Sequence, residues 1–334
     1  MIRIKALTAY AYGACSFYRS MGVLPHTGYQ IDLLQKVSFE FLMGGNIFYV
    51  ERPDRNDLLQ AIRAAKKLNM KIWIDFDDDL FCLPSDNSCA NHYNNLNVQK
   101  IMVESIKLSD VVTVATEEIK NQLLKYNKNI IVIENAFNNF NFKFKKNLSK
   151  NKIVMWRGSE THVNDLYTYK DEINGCMKKY KDWDFLFFGK LPWLLMKNFV
   201  KKEEIQPQYI IDYFDYIYNI NPSVFIVPLV FNKFNLSKSN IAWIEGTYSG
   251  AVCLAPDMPE WRRPGIVNYS TCREFYQNLN MLMSDEGYRE ENYYKSFEYI
   301  KKNLLLSDIN KKRIKIIKNL SYGQEIETNE TRLI

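Results

Sequence analysis

Short apolar runs alternate with segments of helical period along almost the whole chain. In the first half the runs Ile2–Thr8, Asn46–Val50, Lys71–Phe76, Val111–Ala115 and Ile130–Glu134 read as strands. Helices are expected between them at Asp54–Leu68, Val98–Leu108 and Glu117–Tyr126. In the first of these, Leu58, Leu59, Ile62 and Ala65 share one face and Arg55, Arg63 and Lys66 the other, the period of a helix lying on a sheet. Strand, helix and strand in series with short connections imply parallel pairing through right-handed crossovers. The pattern lapses between Asn138 and Lys152, where asparagines and five lysines replace the apolar period, and this reads as a linker. It then restarts. Strands are expected at Ile153–Trp156, Asp184–Phe188, Val224–Pro228, Ala251–Ala255 and Ile266–Tyr269. The matching helices are Val163–Tyr180, Pro207–Tyr218, Ser239–Tyr248 and Cys272–Met283, then the basic segments Gly287–Leu304 and Ser307–Leu320.

The expectation is an α/β chain of two Rossmann-like doubly wound domains facing across a cleft. Its parts are a first domain over residues 1–140, a linker over 141–152, a second domain over 153–290, C-terminal helices over 291–320 turning back towards the first domain, and a polar tail over 321–334. A length of 334 residues, 47% hydrophobic and 25% charged, suits two ordinary globular domains and excludes a disordered or collagen-like chain. No apolar run approaches the roughly 20 residues a bilayer helix needs. The N-terminus reads as a strand and not as a charged region followed by an apolar one, which is the pattern of a cytoplasmic chain. Six scattered cysteines and three histidines show no metal-ligand spacing, so reduced thiols and no structural zinc are expected. A net charge of +6 favours a phosphate-bearing ligand or partner without demonstrating nucleic-acid binding.

In open parallel sheets ligands collect at the carboxyl ends of strands, where helix N-termini offer unpaired N–H groups to phosphate. Neither half carries a G-x-G-x-x-G or a P-loop lysine motif, which removes the main support for dinucleotide oxidoreductases and P-loop phosphotransferases. Four segments lie where such chemistry belongs. Lys238 and Ser239 open a helix and offer charge, hydroxyl and backbone N–H together, and Glu245 two turns on can accept the vicinal hydroxyls of a ribose. The bland alternative makes Lys238 a surface lysine and Glu245 a solvated helix position. After the first strand of the second half, Arg157-Gly158-Ser159 suits an approaching anion, and His162 and Asp165 are spaced to share a helix face. At the end of a first-half strand, Asp75, Asp77, Asp78 and Asp79 crowd four carboxylates, read as a metal site, a general base or an acidic helix cap. The loop from Tyr12 to Arg19, with Ser16, suits either close approach to a ligand or a glycine turn with a structural arginine.

The ordered set resembles the GT-B glycosyltransferases, in the style of the family 4-like enzymes common in bacteria and bacteriophages. Carrying the resemblance are Ser16-Phe-Tyr-Arg19, Asp75-Phe-Asp-Asp-Asp-Leu80, Ser109 to Glu118, Arg157-Gly-Ser-Glu-Thr-His162, Phe187-Phe-Gly189, Pro228-Leu229 and Lys238 to Glu245 leading to Gly250-Ala-Val252. It spans about residues 1–305. It implies a nucleoside-diphosphate sugar, a UDP-sugar in expectation, held by the second domain, with an acceptor held by the first. Glu245 would bind the donor ribose, while Arg157, Gly158, Ser159, Lys238 and Ser239 would hold the diphosphate. No metal or other cofactor would be required. Ser16 and Arg19 would lie on the acceptor side, and Asp77, Asp78 and His162 are the catalytic candidates, an aspartate serving as base if the reaction inverts. The family's second glutamate falls at Ser237, so neither retention nor inversion is implied. The basic surface and absence of an anchor favour a hydroxymethylated base in phage DNA as acceptor, in the host cytoplasm, over a surface glycan or a lipid-linked acceptor. A catalytically inactive sugar-nucleotide binder and an epimerase are the rival readings.

Overall fold

The computed structural model describes residues 2–9, 13–34, 36, 38–189, 199, 203–205 and 209–323. The chain divides into two compact units, one of residues 1–83, 90–140 and 305–334, the other of residues 84–89 and 141–304. Tyr12 and most of the polar tail lie outside the described residues.

Unit 1 runs β1 (Arg3–Leu7), β2 (Gln30–Leu34), β3 (Ile47–Glu51), α1 (Asn56–Lys67), β4 (Lys71–Phe76), α2 (Leu96–Leu108), β5 (Val111–Val114), α3 (Glu117–Leu123) and β6 (Ile130–Val132). Its described strands form one parallel sheet in the order β2-β1-β3-β4-β5-β6. The central strand β4 buries every residue after Lys71, as a strand covered on both faces must. Helix α1 buries Leu58, Leu59, Ala61, Ile62 and Ala65, the apolar stripe its period announced. Strand β2 was not foreseen. It is an edge strand with partly exposed residues throughout, and its signal is short: only Gln30 to Leu33 alternate polar with apolar before Leu34 breaks the period. The helix Leu306–Tyr322 belongs to this unit, where Asn310 Nδ2 donates to the Val23 carbonyl at 2.9 Å and Leu306 N to that of Phe137 at 2.8 Å.

Unit 2 runs β7 (Ile153–Arg157), α4 (Val163–Thr168), α5 (Lys170–Lys179), β8 (Asp184–Phe188), β9 (Glu203–Ile205), α6 (Ile210–Ile220), β10 (Val224–Ile226), α7 (Ile241–Ser249), β11 (Val252–Pro256), β12 (Val267–Tyr269), α8 (Cys272–Ser284) and α9 (Glu286–Asn303). The sheet order is β12-β11-β10-β7-β8-β9, again parallel. The single helix expected over Val163–Tyr180 is two. Tyr169 interrupts it because its ring is pulled into the core against Tyr269 and Phe275, and its hydroxyl donates to the Leu229 carbonyl at 3.2 Å. Strand β9, a three-residue edge, was not foreseen either. Residues 141–152 are part of unit 2: Ser149 N donates to the Gly250 carbonyl at 2.8 Å, and Leu148 joins the unit's core. Helix α9, expected among those turning back on the first domain, also belongs to unit 2.

Candidate active site

Unit 2 concentrates its polar groups at the carboxyl ends of β7 and β10. A pocket there is lined by Trp156, Arg157 and His162 from β7 and its exit turn, and by Val227, Pro228 and Leu229 from the end of β10. Lys238, Ser239 and Ala242 at the start of α7, with Trp261, complete it. Chain reversal after β7 needs small residues. A Cβ on Gly158 would stand 2.3 Å from the Trp156 ring, and one on Gly189, at φ +135°, 2.0 Å from the Gly158 carbonyl oxygen. Only glycines let these two strand ends approach. Lys238 lies over the Phe234 ring at 4.3 Å, which fixes its stem beside the helix start. His162 Nδ1 and Asp165 Oδ2 are 2.9 Å apart, while Asp165 Oδ1 accepts from Val230 N at 2.9 Å and Asn235 Nδ2 at 2.8 Å. Asp165 thus ties the imidazole to the loop that leads to Lys238. Ser159 is exposed, its hydroxyl 2.7 Å from that of Thr161, and is not among the lining residues.

Glu245 departs from its expected place. Its carboxylate is 1% exposed and does not line the pocket. Oε2 accepts from Arg157 Nε at 2.7 Å and from the Tyr213 hydroxyl at 2.9 Å. Helix α7 is buried on all sides, so its second turn points into the unit and not into solvent. Burial, and then the Glu245 charge, push the Tyr213 hydroxyl well above the ordinary tyrosine range, so it stays a donor. The geometry makes Glu245 the residue that orients the Arg157 guanidinium. Ser237 is buried, and its hydroxyl donates to the Phe234 carbonyl at 2.7 Å.

In unit 1 the crowded aspartates are resolved by pairing. Asp75 is enclosed and takes both Arg19 Nε and NH2 at 2.8 Å, with the Thr113 hydroxyl also bound. Arg19 further donates to the Ile133 carbonyl at 2.7 Å and Asn135 Oδ1 at 3.0 Å. Ser16 and Arg19 are both enclosed, so neither presents its side chain to an acceptor, and Arg19 is instead a buried tie between strands. Asp77 pairs with Arg52 Nε, and Asp78 Oδ2 stands 3.6 Å from Arg52 NH2. Burial raises the Asp77 carboxyl, but the charge and hydrogen bond of Arg52 outweigh it and hold it at about 2. A carboxylate held there is a weak base at neutral pH. Asp79 caps the following turn, accepting from Phe81 N at 3.0 Å. Among the described residues no group of three or more His, Cys, Asp or Glu side chains is placed to hold a metal ion.

Glu51 and Arg52, which follow one another at the end of β3, carry no signal in the sequence. Arg52 has φ +43°, a left-handed backbone rare for a side chain of its size. Glu51 is buried and accepts from Ala9 N at 2.8 Å and Ser16 Oγ at 2.7 Å, while Oε1 has no hydrogen-bond partner among the described residues. Burial pushes its carboxyl up to about 7, against the lowering effect of these bonds. Both residues line a second pocket with Thr8, Ala9, Asp54 and Tyr93. Nothing in the strand Ile47–Glu51 distinguishes its last residue from an ordinary exposed strand end; Trp261, in the short turn Pro259–Trp261, likewise has no periodic pattern around it.

Two Rossmann-like domains of parallel sheet define the GT-B fold, and the chain has it. No known protein family matches the sequence, and no curated protein matches it either. Solved structures do match. A glycosyltransferase from Rickettsia africae is 14% identical and superposes over 96% of this chain and 98% of its own, with a TM-score of 0.64. A UDP-N-acetylglucosamine 2-epimerase from Listeria monocytogenes, itself so described provisionally, is 10% identical over 99% of this chain and 100% of its own, at 0.63. The pneumococcal O-GlcNAc transferase GtfA, in complex with UDP and GlcNAc, is 11% identical over 84% of this chain and 59% of its own, at 0.59. Among the described residues no helix is long and apolar enough to cross a membrane.

Proposed function

We propose that the protein is a nucleotide-sugar-dependent glycosyltransferase of the family 4-like type, whose unit 2 holds the donor and whose unit 1 holds the acceptor. One observation carries this reading: Arg157, His162, Lys238 and Ser239, from two separate stretches of chain, converge on one pocket at the carboxyl ends of parallel strands. Transfer breaks the bond between the anomeric carbon and the diphosphate oxygen, and the electron pair leaves with the diphosphate. Arg157, Lys238, Ser239 and the N-terminus of α7 meet that growing charge, with Gly158 keeping the strand end open. The acceptor oxygen attacks the anomeric carbon and gives its proton to a base or to the departing phosphate. Asp78, facing the same Arg52 as Asp77 at the longer distance, is the better placed of the two aspartates. The UDP and sugar bound by neighbours of this fold support a UDP-sugar donor. The charge of +6 is compatible with a polyanionic acceptor, and the reading taken is a hydroxymethylated base in phage DNA, modified in the host cytoplasm. Incubation with a panel of nucleotide sugars, with and without hydroxymethylated DNA, tests this by release of nucleoside diphosphate.

An epimerase is the second reading, favoured by end-to-end superposition on an epimerase. It predicts conversion of a UDP-sugar to its epimer with no acceptor added and no gain in diphosphate release when one is supplied.

A further inference from the structure

Of the described residues that line the donor pocket, His162 is the one of a type whose charge changes near neutral pH. Its side chain is 20% exposed, so the ring can be reached from outside. Asp165 decides which ring nitrogen carries the hydrogen. Its Oδ2 stands 2.9 Å from His162 Nδ1, while Oδ1 accepts from Val230 N at 2.9 Å and from Asn235 Nδ2 at 2.8 Å. Asn235 is itself anchored, with Nδ2 also donating to the Val230 carbonyl at 2.9 Å and its backbone N to Asn232 Oδ1 at 2.7 Å. A carboxylate surrounded by donors only accepts. The bonding pattern therefore puts the hydrogen on Nδ1 and, in the neutral ring, the lone pair on Nε2.

A lone pair at Nε2 repels a phosphate oxygen, whereas an imidazolium N–H attracts one. The ring serves a diphosphate only after it has gained a proton. We infer that donor binding is proton-coupled: His162 Nε2 takes up a proton from solvent as the sugar nucleotide binds and donates it in a hydrogen bond to a phosphate oxygen, with Asp165 as the positioning residue. This rests on the proposed donor site and says how that site responds to pH. One proton moves from water to each ring that was neutral, and no other bond is made or broken. The charges around the ring act in both directions. Asp165 favours the imidazolium, while Arg157 and Lys238, which line the same pocket, oppose a third cation there until an anion arrives. Glu245 offsets Arg157 at 2.7 Å, Glu160 lies in the ring's own turn, and Asp86 is held by Asn164 of α4 at 2.6 Å.

Calorimetric titration of UDP in buffers of different ionisation enthalpy counts the protons taken up, and repetition from pH 6.5 to 8 follows the affinity. The terminal phosphate of UDP titrates at about pH 6 itself, so the reading is the difference between proteins. Wild type should take up more protons than His162→Gln, by up to one, and lose roughly tenfold more affinity than that variant as pH rises over this range. Asp165→Asn tests the positioning role. Its oxygen stays on Val230 N and Asn235 Nδ2, so its NH2 group meets Nδ1 and moves the hydrogen of the neutral ring to Nε2. That ring donates to phosphate without a proton from solvent, and the excess uptake should vanish while UDP still binds. Equal uptake by wild type and either variant overturns the inference. A wild type that binds no UDP overturns the donor site and this inference with it, whereas a wild type that binds UDP with no excess uptake overturns the inference alone. Should Asp165→Asn fold poorly, the comparison with His162→Gln decides.

Discussion

Replacing Glu51 by glutamine is expected to flatten the pH dependence of unit 1's stability. Glu51 is enclosed with one oxygen unpartnered among the described residues, and burial raises its carboxyl from the ordinary 4.5 to about 7. A carboxyl raised on folding favours the protonated form in the folded state. Its contribution is therefore intact below pH 4.5 and is lost as pH rises through 7. At 1.36 kcal/mol per pH unit the loss amounts to about 3 kcal/mol. Asp77, held at about 2 by Arg52, works in the opposite direction at lower pH, but it is present in both proteins and cancels in their difference. The assay is amide hydrogen exchange at pH 5 to 8 on peptides spanning β3 and β4, corrected for intrinsic exchange, which reports unit 1 by itself. Glu51→Gln should gain on wild type steadily from pH 5 to 7.5, by about 2.4 kcal/mol over that range, and then level off. Two curves that stay parallel over this range would show that Glu51 titrates as an ordinary exposed carboxyl, against the burial seen here.

Three further outcomes follow from the same geometry. Gly189→Ala places a Cβ 2.0 Å from the Gly158 carbonyl at φ +135° and should destabilise unit 2 by on the order of 3 kcal/mol, seen as an earlier thermal unfolding transition that UDP no longer raises. Lys238→Ala should weaken UDP roughly tenfold and make the remaining affinity less sensitive to salt, measured by calorimetry at two ionic strengths. Glu245→Gln keeps the shape but removes the charge that orients Arg157, so UDP affinity should fall while uridine affinity holds; a loss confined to uridine would return Glu245 to the ribose.

Most of the fold is legible in the apolar pattern because both sheets are parallel and covered. Strands β4 and β8 fall where the runs Lys71–Phe76 and Asp184–Phe188 place them, and α1 where its stripe does. The edges β2 and β9 are hard to read because they are short, four alternating residues at Gln30 to Leu33 and three residues in β9. Among the site candidates, Arg157, His162, Lys238 and Ser239 come together in one pocket, as a local rule expects of strand ends and helix starts in a parallel sheet. What the local rule misses is direction and long-range pairing. It cannot tell that α7 is buried all round and turns Glu245 inward, nor that Asp75 is claimed by Arg19, 56 residues away. Glu51 is set apart by a carboxylate oxygen that finds no partner among the described residues, and an unsatisfied atom has no signature in a sequence.

Calorimetric titration of UDP into wild type and into the double variant Arg157→Ala, Lys238→Ala asks whether the unit 2 pocket grips the diphosphate of a sugar nucleotide. One saturable site is expected in wild type and a loss of a hundredfold or so in the variant, with its fold intact by circular dichroism. Equal binding by the two proteins, or no binding by wild type, would contradict it.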